Sequence, residues 1–248
     1  MTRHLRSELL KQRSTRGSIG LIAAMLGLIV LAELLHAFGL PADAVGDGER
    51  QLMVLGLGGL LSSLFAAVFG ALTVTSEFRH GTIHPTFLVT PRRGKVIAAK
   101  AIVGVLIGAG LGLLGGAVAA VVGAAALEAR GVSVLLDGDD VTQLVAGATG
   151  AAALWAAIGV GIGAIVRNQV PALVGICAWI LFVEGLLADA TGGLGEIGRF
   201  LPGAAGAAMA GQEPDRLLAP AVALLVLMAY ATASALLGTV ATTRRDVE

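Results

Sequence analysis

The sequence predicts an all-α integral membrane protein with six transmembrane helices, and three observations carry that reading. Hydrophobic residues make up 56% of the 248 residues and charged ones only 14%, with a mean hydropathy of +0.87. Neither a soluble domain nor a disordered chain has that composition. The apolar residues gather into six long stretches, each near or above the ~20 residues that cross ~30 Å of hydrocarbon as a helix. Finally, Lys and Arg fall mostly on one side of the resulting zigzag, as short cytoplasmic loops require.

The stretches are Ser18–Phe38, Leu52–Thr75, Val96–Leu127, Val141–Val166, Val170–Ala188 and Leu217–Ala241, each bounded by charged residues or by Gly/Pro turns. They form a single transmembrane domain spanning 1–248. With the N-terminus inside, the tail (Arg3, Arg6, Lys11, Arg13, Arg16), the second connection (Arg79, Arg92, Arg93, Lys95, Lys100), Arg167, Arg244 and Arg245 are cytoplasmic. Only Arg50, Arg130, Arg199 and Arg216 of the 17 basic residues lie outside. The acids gather in the outer loops, among them Asp47, Glu49, Asp137, Asp139, Asp140 and Glu213, so both termini are inside. The basic start followed by an apolar run also has the look of a secretory signal, with Ala42-Asp43-Ala44 as a cleavage site, but its apolar region is too long for one. Leu5, Leu9 and Leu10 allow the tail to lie as a short helix on the anionic inner leaflet, and an unstructured basic tail fits as well.

Glycine contributes 36 residues, and Gly104, Gly108, Gly112 and Gly116 recur every fourth position of the third stretch, placing them on one helical face where another helix packs closely. The run G-A-G-L-G-L-L-G-G within it lacks the strand that a dinucleotide fingerprint needs, and no G-x-x-x-x-G-K-[ST] occurs, so no ATP site is expected in this chain. The 17 basic and 17 acidic residues cancel, which leaves no charge excess for nucleic acid. Cys177, the single cysteine, lies in an apolar run and has no partner for an internal disulfide. No catalytic constellation is expected: no serine sits in a nucleophile motif, and Cys177 has no histidine nearby in sequence.

Glu33 and Glu184 are ionisable residues inside apolar stretches, where a carboxylate is a functional candidate by default. Both lie ~20 Å from the inner end, in the outer third, where a side chain reaches interfacial water. Snorkelling or helix-end packing is therefore expected over lining a substrate path. His36 is one turn from Glu33. A secondary transporter would show several paired ionisable groups near mid-membrane, a pattern not visible here. Glu77, His80 and His84 bring three potential metal ligands together, but Gly81 and Pro85 interrupt the helix that a zinc motif of this spacing needs, so no metal is expected.

The most informative segment is Ser76–Lys95, S-E-F-R-H-G-T-I-H-P-T-F-L-V-T-P-R-R-G-K. Gly81 can end the second span, Thr82 can cap a new helix and Pro85 fits its first turn, giving a short apolar piece through Val89 that carries Ile83, Phe87 and Leu88. Thr90 and Pro91 then open the third helix. An ordinary basic loop dipping those apolar residues into the headgroups satisfies the same local physics.

At these residues the chain resembles an ABC-2 type transporter permease, the membrane subunit of one class of ABC exporters. The likeness rests on E-F-R-H-G-T-I, T-P-R-R-G-K, the V-R-N-Q-V-P link at Val166–Pro171, R-F-L-P-G-A-A-G-A-A-M at Arg199–Met209 and R-R-D-V near the end, in order along a six-span frame. The resemblance implies that Gly81, Thr82, Ile83, Phe87 and Leu88 belong to a coupling helix seated on a separate cytoplasmic ATPase, with Glu77 and Arg79 at its hinge. It further implies a pair of permease subunits, ATP and Mg held by the ATPase, export across a bacterial inner membrane, and an outer segment in Asp189–Arg216 that dips back into the membrane. A drug, a peptide or a lipid-like molecule would suit the Ala/Gly/Val/Leu-rich spans. His80 and His84 have no role that the resemblance supplies. The rival readings are a membrane scaffold that anchors a complex through its basic inner face, and a secondary transporter.

Overall fold

In the computed structural model, residues 16–83, 85, 93–190 and 195–244 are described, and among them the regular structure is entirely helical. Helix α1 (Arg16–Gly39) ends at a glycine and a 3-10 turn, Ala42–Val45. Helix α2 (Gly48–Leu55) starts at Asp47, whose carboxylate accepts from the Arg50 amide at 2.8 Å. After Gly56 the chain continues as α3 (Leu57–Arg79), so the second span is longer than the apolar pattern indicates. At Gly56 the Gln212 side chain occupies the space that a Cβ would need.

Helix α4 (Arg93–Ala129) has 37 residues, which at 1.5 Å each make about 55 Å, more than a bilayer core requires. Helix α5 (Gly138–Val166) opens on a reciprocal cap: Asp137 accepts from the Asp140 amide at 2.9 Å, and Asp140 accepts from the Asp137 amide at 3.1 Å. It ends on Arg167, a non-glycine residue in the left-handed region (φ 59°). The fifth span is α6 (Gln169–Ala178), a π turn (Trp179–Val183) and α7 (Glu184–Ala190). Two short helices, α8 (Gly195–Gly198) and α9 (Pro202–Met209), precede α10 (Pro220–Arg244). The last span thus starts at Pro220 rather than Leu217, because proline fits a first turn and supplies no amide to an earlier one.

Six helical stretches are long and apolar enough to cross a membrane, and the protein is a multi-pass membrane protein. Its centre is α5: 67% of that span's apolar window is buried within the chain, against 17% for α1 and 22% for α10. Small residues allow this crowding. A Cβ on Gly159 would strike the Ala67 carbonyl of α3, one on Gly161 would meet Ser234 of α10, and one on Gly147 would meet Met209 and Ala210 at the end of α9. The helix α9 is accordingly tucked into the bundle, with Pro202, Ala205, Ala208 and Met209 buried. On α10, Leu225, Leu236 and Leu237 remain more than half exposed, as lipid-facing side chains do.

Candidate functional site

The site residues expected from the sequence fall into four places, two near the ends of the bundle, one along α4 and one inside α1. The first is the basic end, where α3 stops. Glu77 sits just before that end and meets Lys100 of α4: Lys100 Nζ lies 2.9 Å from Glu77 Oε1 and donates to the Thr73 carbonyl at 2.9 Å. The Lys100 side chain is 1% exposed, so a residue counted with the charged loop is a buried member of the helix interface. The reason is geometric. Consecutive antiparallel helices bring the last turns of one beside the first turns of the next, and a charge there needs a partner.

Arg79 reaches Gln169 Oε1 at the start of α6 (3.1 Å). Arg167 donates to the Ala241 carbonyl (2.8 Å) and lies over the Phe78 ring at 5.3 Å, and Arg93 donates to the Thr242 carbonyl (2.8 Å). Five spans meet in these contacts, and Arg93 and Arg167 satisfy late carbonyls of α10. Beyond it, Gly81 takes a left-handed turn (φ 67°), the Thr82 hydroxyl points back to the Glu77 carbonyl (3.5 Å), and Ile83 is only 1% exposed. The turn folds Ile83 into the chain's own interior, and burying an isoleucine favours this. His80 Nδ1 faces the Ser76 carbonyl at 2.8 Å. His84, Phe87, Leu88 and the Thr90–Pro91 cap lie outside the described residues, as do the tail leucines Leu5, Leu9 and Leu10.

The glycine ladder lies on α4 against α5. A Cβ on Gly104 would meet Val160, on Gly108 the Ala152 carbonyl at 2.5 Å, on Gly112 the Ala148 carbonyl, and on Gly116 Ala148 Cβ at 3.1 Å.

Glu33 and Glu184 turn inward. Glu33 is fully buried, its Oε2 lies 2.8 Å from where a Gly123 Cβ would be, and neither carboxyl oxygen has a hydrogen-bond partner among the described residues. Glu184 packs on a helix end. Its Oε1 accepts from the amides of Gly203 (2.5 Å) and Ala204 (2.8 Å), the exposed donors in the first turn of α9. Gly203 has to be glycine-like here, because a Cβ would stand 2.7 Å from that same oxygen. The π turn immediately before Glu184 shifts the register of the fifth span and so sets the direction of this carboxylate.

Sequence reasoning did not single out Lys100 or Gln51 as structural. Gln51 is fully buried, donates to Val45 and Ser133 carbonyls (3.1 and 3.0 Å) and accepts from the Leu135 amide (2.9 Å), binding α2 to the α4–α5 connection. The signal for Lys100 was its position inside an apolar run opposite Glu77. For Gln51 there was none beyond a polar residue beside a predicted span.

The fold therefore presents a clamped basic end and, at the opposite end, a short inward helix held by a carboxylate of the fifth span. No protein-family model matches this chain, and no curated protein matches it significantly.

Proposed function

We propose that the protein is the membrane subunit of an ATP-driven exporter of the ABC-2 permease type, working across a bacterial inner membrane with both termini cytoplasmic. The observation that carries this reading is the junction after α3. The Glu77–Lys100 pair holds the end of α3 to α4, Gly81 reverses the chain, and Ile83 anchors the start of the connection to Arg93. A connection fixed at its base transmits a push to two spans, whereas a slack loop absorbs it. The tucked helix α9 before the last span also supports the reading, since the resemblance expects an outer segment that dips inward.

On this proposal a cytoplasmic ATPase binds and hydrolyses ATP with Mg, the chain itself catalyses no reaction, and two permease subunits frame the substrate path. The substrate is a drug, a peptide or a lipid-like molecule.

The test is co-expression with candidate ABC ATPases and purification of the complex. Wild-type chain should retain one ATPase stoichiometrically. Phe87→Asp, which puts a charge into an apolar contact, should release the ATPase while leaving membrane insertion intact. Glu77→Ala should lower transport and transport-stimulated hydrolysis without releasing it. Normal transport and retention in both variants would end the coupling assignment, and failure of any ATPase to bind wild type would end the exporter reading.

A further inference from the structure

Beside Glu184 lies a cavity of about 410 Å³, bordered by Leu60, Ile180, Leu201 and Leu217 on its apolar side and by Arg199, Glu213 and Arg216 among its charged residues. A pocket of this size and lining admits a small amphipathic molecule. A second hollow of about 70 Å³, reaching Trp155, shares Leu60, Ile180, Gly203 and Ala207 with it.

The charges around the cavity are unequally satisfied. Arg216 pairs with Glu213 at 3.1 Å, and Arg199 lies over the Phe200 ring at 5.3 Å with a further partner of its own. Glu184 is only 8% exposed, and while Oε1 is held by the two amides of α9, Oε2 has no hydrogen-bond partner among the described residues. The Trp179 indole also hydrogen-bonds this carboxyl, and Oε2 is the oxygen left without a partner among the described residues. A buried acceptor without a donor is costly, and a charge-assisted bond from a cation is the contact that would repay it.

We infer that this cavity binds an amphipathic primary amine, its ammonium group donating to Glu184 Oε2 and its apolar body lying along Leu60, Ile180 and Leu217. An anionic ligand would set its charge against the carboxylate. A neutral ligand would leave the carboxylate without a counter-charge. The site goes beyond the permease reading, because binding here requires neither an ATPase nor transport.

The ammonium has two sources, the headgroup of an aminophospholipid or a free amine, and one experiment separates them. The purified full chain is placed in phosphatidylcholine nanodiscs and titrated with a dansylated alkyl primary amine, with empty nanodiscs subtracted. Wild type should bind this probe at least tenfold more tightly than its N-acetylated derivative. Glu184→Gln should weaken binding at least tenfold, because the amide oxygen still accepts from Gly203 and Ala204 while the charge is gone. Gly185 also borders the cavity, and its Cβ would meet nothing within 4 Å, so Gly185→Phe should fold and abolish binding by filling the space. Should Glu184→Gln fail to assemble, Gly185→Phe and the acetylated probe decide the matter. Equal affinity for the amine and its acetylated form, unchanged binding by a folded Glu184→Gln, full binding by Gly185→Phe, or tighter binding of a dansylated carboxylate would each overturn the assignment. With the amine bound as expected, displacement by added phosphatidylethanolamine names the lipid headgroup as ligand, and persistence of binding names a free amine.

Discussion

Lys100 of α4 and Glu77 of α3 form an ion pair at 2.9 Å with the lysine side chain 1% exposed, and the same ammonium also serves the Thr73 carbonyl. A buried pair of this kind does not by itself imply high stability, since withdrawing two charges from water offsets most of their attraction. Its effect is on alternatives: any sliding of α3 past α4 separates the charges in an apolar setting.

The first prediction is therefore asymmetric. Lys100→Met or Glu77→Gln alone should destabilise the protein, by about 3–5 kcal/mol where a buried charge is left unmatched. The double variant should recover most of that loss, and thermal unfolding of the four proteins in detergent closes the cycle. Additive losses would mean that the two side chains do not interact.

The second prediction separates glycines that touch a backbone from one that does not. A Cβ on Gly108 would stand 2.5 Å from the Ala152 carbonyl, whereas one on Gly110 meets nothing within 4 Å. Gly108→Leu and Gly112→Leu should each lose about 1–3 kcal/mol or more through overpacking, and Gly110→Leu should behave as wild type. Equal tolerance at all three would remove α5 from the face that the ladder presents.

The six spans were legible because membrane insertion depends on length and hydropathy, which are local properties. The ladder was legible because a four-residue spacing fixes a helical face regardless of partner. What escaped was set by register between helices distant in sequence. Lys100 resembles any other basic residue near a membrane surface until α3 is placed beside it. Glu184 and Gly203 meet only once α9 has turned inward, and the π turn that aims Glu184 leaves no mark in the run Trp179–Val183, which is apolar throughout. Hydropathy likewise missed the continuation of the second span back to Gly48, since Glu49, Arg50 and Gln51 lower the local average while remaining helical.

The third prediction fixes the orientation. In a Cys177→Ser background, a cysteine at Thr243, near the basic end, should resist an impermeant thiol reagent in intact cells. One at Ser133, exposed between α4 and α5, should react. The opposite labelling would place the basic end outside, against the retention of Lys- and Arg-rich connections in the cytoplasm.

The last prediction concerns Glu33, which differs from Glu184 in having no donor at either oxygen among the described residues. It is fully buried on α1, with Gly123 of α4 and Leu55 of α2 beside it. Neither form of a carboxyl group suits that place: the ionised form has no counter-charge, and the protonated form has a hydroxyl with no acceptor. Methionine is of similar length and carries no such obligation, so Glu33→Met should raise stability by about 1–3 kcal/mol, read as a higher midpoint of thermal or denaturant unfolding. Glu33→Gln should give no such gain, because its amide is as unsatisfied as the acid. If Glu33→Met is instead destabilised, the carboxyl has a partner in the membrane-embedded protein and the unpaired arrangement is wrong. If the methionine variant is more stable but transports less, the native chain keeps an unfavourable carboxyl for its work, the usual relation between stability and function at an active position.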